Sequence, residues 1–169
     1  MAAAALPTAE TELRVRPVRD DDAQDLFGLI TLCFAEYPGC YTDPHDDLSD
    51  LRAPASTAQT KGAQFFVVED ERSRVCACVA VYFPAAGRAE LHRLYVRPDQ
   101  RGRGLGQRLV RLVEDEARGQ GARRMVFWSY TRFTTAHRLY TRLSYQPTGE
   151  TRELGDILHS SEYRFEKGL

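Results

Sequence analysis

The sequence predicts one α/β domain, built on a mixed sheet of about seven strands that is flanked by about four helices. Three observations support this prediction. The chain has 169 residues, 43% of them apolar, which is enough for one substantial core. Segments with the alternation of strands follow segments with helical periodicity. No repeat or linker divides the chain, so residues 12–169 form the predicted domain and residues 1–11 a disordered tail.

The first third of the chain predicts a strand and two helices. Residues 13–18 alternate apolar and basic side chains, as a strand does. Asp20, Asp21 and Asp22 can cap a helix whose apolar face is Leu26, Leu29, Ile30 and Phe34. Prolines and aspartates in residues 37–50 indicate a loop, and residues 48–61 predict a weaker helix interrupted near Pro54.

Three strands are predicted in the middle of the chain. Residues 64–69 and 74–83 are apolar on both faces, which is typical of central strands in a covered sheet. Residues 89–98 form the third strand. Simple alternation places Glu90 and His92 on the same face as Leu94 and Val96.

The last third begins with an amphipathic helix. From Gly104 the apolar period changes to 3.6, and Gly119 and Gly121 end the helix. Its solvent side is expected to carry the pairs Arg111–Asp115 and Glu114–Arg118. A strand at residues 124–130, a short helix around Tyr140 and two closing strands near 148–154 and 162–166 complete the prediction.

Charge and composition exclude several classes of function. The net charge is −1 and the arginines are dispersed, so we expect neither nucleic acid nor membrane as a partner. No stretch approaches the ~20 apolar residues of a membrane span, and the chain is expected to be cytoplasmic. The cysteines, at positions 33, 40, 76 and 78, lack the spacing of zinc ligands, so no metal site is predicted.

The glycine-rich turn at residues 101–106 carries the strongest functional signal. It lies between a predicted strand and a predicted helix, where backbone amides and the helix dipole can hold phosphate oxygens, and Arg101 and Arg103 add positive charge. Taken alone, such a glycine triplet is more often an ordinary surface turn than a phosphate site. A P-loop would need GlyxxxxGlyLys, and the dinucleotide pattern read from Gly104 meets Leu109 at its last glycine. Both nucleotide sites are therefore excluded.

Residues 96–106 resemble the pyrophosphate signature of the GNAT acetyltransferase superfamily, with Arg101, Gly104 and Gly106 at its defined places. Residues 136–140 resemble the second cofactor motif of that family, AlaxxLeuTyr. The resemblance runs in order over most of the chain. It implies a mostly antiparallel central sheet and acetyl-CoA as the acyl donor. It also implies donor-binding roles for Leu94, Tyr95, Val96, Arg101, Gly102, Arg103, Gly104, Leu105 and Gly106, the first three through their backbone.

The resemblance also suggests catalytic residues. Tyr140 stands where the family often has the tyrosine that protonates the coenzyme A sulfur, so it is the candidate general acid. Glu90 has the spacing of the base in some members, and His92 is a rival for that role because imidazole titrates near neutral pH. Other readings stay open: Tyr140 as a core aromatic, Glu90 and His92 as polar sheet residues, and no dedicated base. Phe133 replaces a frequent family asparagine, so the cofactor contact of that amide is not carried over.

The sequence therefore predicts transfer of an acetyl group from acetyl-CoA to the primary amine of a small molecule, by direct attack in a ternary complex. Two alternatives remain: acetylation of a protein or peptide, and an acyl-CoA-binding module without catalysis. The resemblance implies that the loop at residues 35–47 sets the specificity for the acceptor. Residues 1–60 hold eleven acidic and four basic residues, so we hypothesise a cationic acceptor attracted by Asp43, Asp46 and Asp47. A homodimer is a further possibility that the family suggests, with Tyr163 and Phe165 supplying apolar surface.

Overall fold

The computed structural model describes residues 13–43 and 48–169. The predicted tail at residues 1–11 lies outside these ranges. In chain order the strands and helices are β1 (Arg14–Pro17), α1 (Ala23–Phe34), α2 (Pro54–Thr60), β2 (Gln64–Glu69), β3 (Val75–Ala85), β4 (Arg88–Val96), α3 (Leu105–Gly119), β5 (Arg124–Tyr130), α4 (Thr134–Arg142), β6 (Gln146–Glu153) and β7 (Ser161–Gly168). Short 3₁₀ turns occupy Asp20–Asp22, Ser49–Leu51 and Pro98–Gln100. The predicted number and type of elements are confirmed.

The seven strands form one sheet in the order β1-β2-β3-β4-β5-β7-β6. Neighbouring strands are antiparallel except β4 and β5, which are parallel. The sheet is therefore mixed and mostly antiparallel, as predicted. Helices α3 and α4 cover one face, and α1 and α2 cover the other, so that a buried cluster lies on each side of β3. This double cover explains why β2 and β3 are apolar on both faces.

Strands β4 and β5 pair over only three residues each. Arg88, Ala89 and Glu90 lie opposite residues 124–126, whereas β5 continues in register with β7 up to Tyr130. Beyond Glu90, β4 no longer pairs with β5, so the two parallel strands diverge. The β5-facing backbone edge of the second half of β4 is consequently released from the sheet ladder.

A β-bulge divides β4 and corrects one prediction. His92 pairs with Ala80 and Tyr95 pairs with Cys78, so three steps along β4 match two steps along β3. Arg93 is the extra residue of the bulge, and its φ of 55° is rare for a residue other than glycine. Tyr95, not Leu94 or Val96, therefore shares the face of Glu90 and His92 that is turned towards α1.

A buried carboxylate on α3 corrects a second prediction. Glu114 was expected on the solvent side, but its side chain is only 5% exposed. It accepts hydrogen bonds from the Tyr145 hydroxyl and from the Lys167 ammonium, both at 2.8 Å. Arg118 lies 3.6 Å from its other oxygen. Glu114 thus ties α3 to both ends of the β6–β7 hairpin instead of pairing on the surface.

The aspartates before α1 do more than cap a helix. Asp22 accepts a hydrogen bond from the Arg19 backbone N–H at 2.7 Å, which caps the 3₁₀ turn. It also binds the buried guanidinium of Arg16 through two bonds of 2.7 and 2.8 Å. Burial alone would raise the pKa of Asp22, but the Arg16 and Arg19 hydrogen bonds outweigh it and lower that pKa. The pair joins β1 to the start of α1.

Candidate active site

A cavity of about 250 Å³ opens where β4 leaves β5. One wall is the free edge of β4, with Leu94, Tyr95 and Val96. The opposite wall belongs to α4 and the loop before it. The glycine-rich turn closes one end. On the α4 side the lining residues are Phe133, Thr135, Ala136, Leu139 and Arg142. At the glycine turn they are Arg101, Gly102, Gly104, Leu105, Gly106 and Gln107.

Two glycines give the turn its shape. Gly104 is the residue before α3 and has a φ of 73°, a conformation that favours glycine. Gly106 lies in the first turn of α3 against α4. A Cβ atom at Gly106 would lie 3.1 Å from Leu139 Cδ2 and 3.9 Å from Val96 Cγ2. The first N–H groups of an α-helix have no partner within the helix, so those of α3 are available at this end of the cavity to an anionic ligand.

Arg101 is fixed by three groups at the edge of the cavity. Its Nε donates to the Val96 carbonyl at 2.9 Å. Its terminal nitrogens bind both carboxylate oxygens of Glu36 at 2.7 and 2.6 Å, and one lies 3.6 Å from Cys33 Sγ. Arg103 is exposed and lies 3.4 Å from the Gln100 amide oxygen. Of the two arginines, Arg101 therefore belongs to the cavity wall and Arg103 to the outer surface of the turn.

Tyr140 points into the core rather than into the cavity. Its ring packs at centroid distances of 4.4 Å from Phe127, 5.6 Å from Phe165 and 6.2 Å from Tyr145. Only 4% of the residue is exposed, and burial raises the pKa of its hydroxyl. Tyr140 is protonated at neutral pH, as any tyrosine is, and the raised pKa makes its hydroxyl a weaker acid. Its neighbour Leu139, not Tyr140 itself, lines the cavity.

Glu90 and His92 lie together on the α1 side of β4, outside the cavity wall. Glu90 Oε2 is 3.3 Å from His92 Nε2, and Glu90 Oε1 accepts a hydrogen bond from Arg88 at 3.0 Å. The His92 ring packs 4.5 Å from the Tyr82 ring. Desolvation lowers the pKa of His92, although hydrogen bonding and charge from Glu90 oppose that shift. His92 is therefore a neutral imidazole at pH 7, able to accept a proton.

Aromatic rings surround the end of the cavity opposite the glycine turn. Phe133 packs 5.0 Å from Tyr37, 5.2 Å from Phe34 and 5.2 Å from Tyr130. Phe34 also packs 6.2 Å from Tyr95. Three of these rings, Tyr37, Tyr95 and Phe133, line the cavity directly. The cavity therefore has a polar end at the turn and an aromatic end.

Sequence reasoning missed several of the residues at this site. Cys33 lines the cavity, and burial raises the pKa of its thiol to about 11. Glu36 and Tyr37 reach the site from the end of α1. The local sequence around Glu36 and Tyr37 does not predict that they contact the cavity, because these contacts join residues far apart in the chain. Glu36 and Arg101, for example, are 65 positions apart. The resemblance linked the loop at residues 35–47 to the acceptor and marked Phe133 as a departure from the family pattern, but it gave Glu36 and Tyr37 no contact.

The structure also bears on the predictions about metal ions, membranes, a dimer surface and the acidic loop. Within residues 13–43 and 48–169, no three His, Cys, Asp or Glu side chains are grouped as a metal site would require. No helix in the same ranges has the length and apolar character needed to cross a membrane. Phe165, expected at a dimer surface, is instead buried in the core, while Tyr163 is exposed. Asp46 and Asp47 lie outside the described residues.

A sheet split between two parallel strands, with a glycine turn and a helix N-terminus at the split, defines an acyltransferase of the GNAT class. The pattern of the Acetyltransferase (GNAT) family matches residues 26–145. The chain therefore belongs to the GNAT acetyltransferase family, and the sequence-based recognition is confirmed.

Individual relatives agree with this assignment. The chain is 28% identical over 145 residues to an L-methionine sulfoximine/L-methionine sulfone acetyltransferase of Pseudomonas aeruginosa, covering 82% of this chain and 84% of that protein. A GNAT-family acetyltransferase from Staphylococcus aureus Mu50 superimposes with a TM-score of 0.78 at 14% identity, over 93% of this chain and 99% of the other. A phosphinothricin acetyltransferase from Sinorhizobium meliloti, solved with acetyl-CoA, gives 0.70 at 16% identity, over 93% and 88%. These two structural likenesses support the fold.

Proposed function

We propose that the protein transfers the acetyl group of acetyl-CoA to the primary amine of a small molecule, by direct attack while both substrates are bound. One observation carries the proposal. The diverging β4 edge, the glycine turn and α4 line a cavity that has the N-terminus of α3 at one end and aromatic rings at the other. That arrangement matches the part of acetyl-CoA that runs from the pyrophosphate, along the pantetheine arm, to the acyl thioester.

The residues present fit such a donor. The turn offers unpaired N–H groups and the positive end of a helix dipole to phosphate oxygens. At Gly106 a Cβ would meet Leu139 at 3.1 Å, so a larger residue would displace Leu139 and narrow this part of the cavity. The freed backbone edge at Leu94 and Val96 supplies hydrogen-bonding groups along the cavity. When bound, acetyl-CoA supplies the activated acyl group, and these residues hold and orient it.

Proton transfer is assigned to the three residues that the sequence suggested. The attacking amine must be neutral, and neutral His92 or Glu90 can take its proton, directly or through water. Tyr140, whose hydroxyl is protonated at neutral pH, is proposed to donate its proton to the leaving thiolate. Because Tyr140 lies behind Leu139, this role requires its hydroxyl to reach the cavity past that side chain. A Tyr140→Phe variant with unchanged kcat would reduce Tyr140 to a core aromatic.

The acceptor is proposed to be an amino-acid-like small amine. The names of two relatives contain methionine sulfoximine, methionine sulfone and phosphinothricin, and each of these compounds carries a primary amine beside a carboxylate. They form the first panel to assay. A second panel of cationic amines tests the hypothesis that Asp43, Asp46 and Asp47 attract a positively charged acceptor. The cytoplasmic location and the homodimer remain predictions.

Calorimetric titration with acetyl-CoA tests the donor site before any acceptor is known. Binding near the micromolar range, or about −8 kcal/mol, is expected. Steady-state assays on the amine panel then follow, with Glu90→Gln and Tyr140→Phe compared with the exposed control Tyr163→Phe. Faster acetylation of peptides would favour the peptide alternative. Binding without any acyl transfer would favour the binding module, and no binding would refute the proposal.

A further inference from the structure

Two carboxylate–arginine pairs join the segment after α1 to the donor-binding wall. Near its start, Glu36 binds Arg101 of the glycine turn through two hydrogen bonds of 2.7 and 2.6 Å. Near its end, Asp50 accepts a hydrogen bond of 2.7 Å from Arg93 at the β4 bulge. The described parts of this segment, residues 35–43 and 48–51, are called the acceptor segment here. Both arginines thus lie on the donor side, and both carboxylates on the acceptor segment.

Each arginine is also attached to the backbone that shapes the cavity. Arg101 donates to the Val96 carbonyl at 2.9 Å, on the free edge of β4. Arg93 is the extra residue of the bulge, and its own carbonyl accepts the Cys78 thiol hydrogen at 3.1 Å. The Arg101 side chain is therefore held by the sheet independently of Glu36, whereas the bulge fixes the backbone of Arg93. Loss of a carboxylate should loosen the nearby part of the acceptor segment, whose far end stays anchored by the buried Leu48 and Leu51, and leave the donor wall in place.

Both pairs are stronger candidates for a measurable effect than ordinary surface pairs. The Asp50 and Arg93 side chains are 18% and 21% exposed, and those of Glu36 and Arg101 are 32% and 33% exposed. The Glu36 pair is also bidentate, which fixes direction as well as distance. The acceptor segment places Tyr37 against Phe133 at the aromatic end of the cavity. A displacement of the segment would therefore be felt where the acceptor amine is expected to approach.

We infer that Glu36 and Asp50 are positioning residues, which hold the acceptor segment against the donor wall and thereby set the affinity for the acceptor amine. The inference rests on the proposed function for its acceptor, but the positioning can be measured without one. Neither carboxylate transfers a proton in this role. Each acts through its arginine on the placement of the segment.

The test compares Glu36→Gln and Asp50→Asn with Glu150→Gln, which breaks a 2.7 Å carboxylate–arginine pair on the distant β6–β7 hairpin. Hydrogen exchange of the free protein, followed by mass spectrometry, should accelerate about threefold to tenfold in residues 36–43 for Glu36→Gln and in residues 48–52 for Asp50→Asn. Glu150→Gln should leave both stretches unchanged. Unchanged exchange in both variants would overturn the inference, whether or not acetyl-CoA binds.

Ligand affinities separate positioning from a general loss of structure. Where an amine substrate is found, its KM should rise about threefold to tenfold in both variants, while the acetyl-CoA Kd stays within about twofold or tightens for Glu36→Gln. Tightening is expected because Arg101 then keeps an uncompensated positive charge near the donor. Parallel weakening of both ligands would contradict the positioning role. Failure of acetyl-CoA to bind wild-type protein refutes the proposed function, and the exchange result still decides this inference.

Discussion

Substitution of Gly106 by alanine should separate donor binding from stability. The new Cβ would lie 3.1 Å from Leu139 Cδ2 and 3.9 Å from Val96 Cγ2, and both side chains line the cavity. In a helix, replacing glycine by alanine stabilises the folded state by about 1 kcal/mol. Moving Leu139 by a few tenths of an ångström costs about the same. The free energy of unfolding should therefore change by less than about 1 kcal/mol.

Donor affinity should respond much more strongly than stability. The added methyl group and the displaced Leu139 narrow the cavity next to the glycine turn, so we expect the acetyl-CoA Kd to rise about tenfold, or about 1.4 kcal/mol. Calorimetry measures the Kd, and urea denaturation measures the unfolding free energy. Gly119→Ala is the matched control, because Gly119 lies in the same helix and the Cβ of an alanine there would meet no neighbouring group within 4 Å. Unchanged donor affinity in Gly106→Ala would refute the reasoning.

Three further predictions concern stability and reactivity. Tyr145→Phe removes a buried hydrogen bond from Glu114 and should cost about 1 kcal/mol in urea denaturation; a loss no larger than that of an exposed Tyr163→Phe control would contradict this. Asp22 has a lowered pKa, so its stabilising effect is complete above its unfolded pKa of about 4 and is lost as the pH falls through the folded pKa. Asp22→Asn should flatten this acid dependence in unfolding measured from about pH 3 to 7, and an unchanged slope would count against it. Iodoacetamide should label half-buried Cys40 before the three buried cysteines, as peptide mass spectrometry can show; simultaneous labelling would indicate global opening.

Local patterns predicted most of the elements but not the geometry of β4. The residues of that strand on the α3 side are Ala89, Leu91, Leu94 and Val96, so their spacing changes from two to three at the bulge. Simple alternation then assigned Leu94 and Val96 to the wrong face. The glycine turn was predictable because its signal lies in six consecutive residues. The position of Tyr140 was not, because packing against Phe127 and Phe165 decides which way its ring points.

Ionic contacts were predicted least well, for a physical reason. Helical spacing suggested that Glu114 pairs with Arg118, which is four residues away, but the shorter contact is with Lys167, 53 positions distant. Glu36 and Arg101 are likewise far apart in the chain. Sequence spacing reports only neighbours on one element. Pairs that join different elements follow from the assembled fold.

The bulge in β4 limits how this enzyme can be recombined with its relatives. A strand of the same length but without the bulge would rotate every side chain beyond Arg93 to the opposite side of the sheet. Tyr95 would then enter the layer under α3, and the edge that borders the cavity would present different backbone groups. Chimeric acetyltransferases should therefore exchange Arg88–Val96 as one block, with crossover points in the turns on either side. Chimeras with a crossover point inside this strand should fold at best without binding acetyl-CoA.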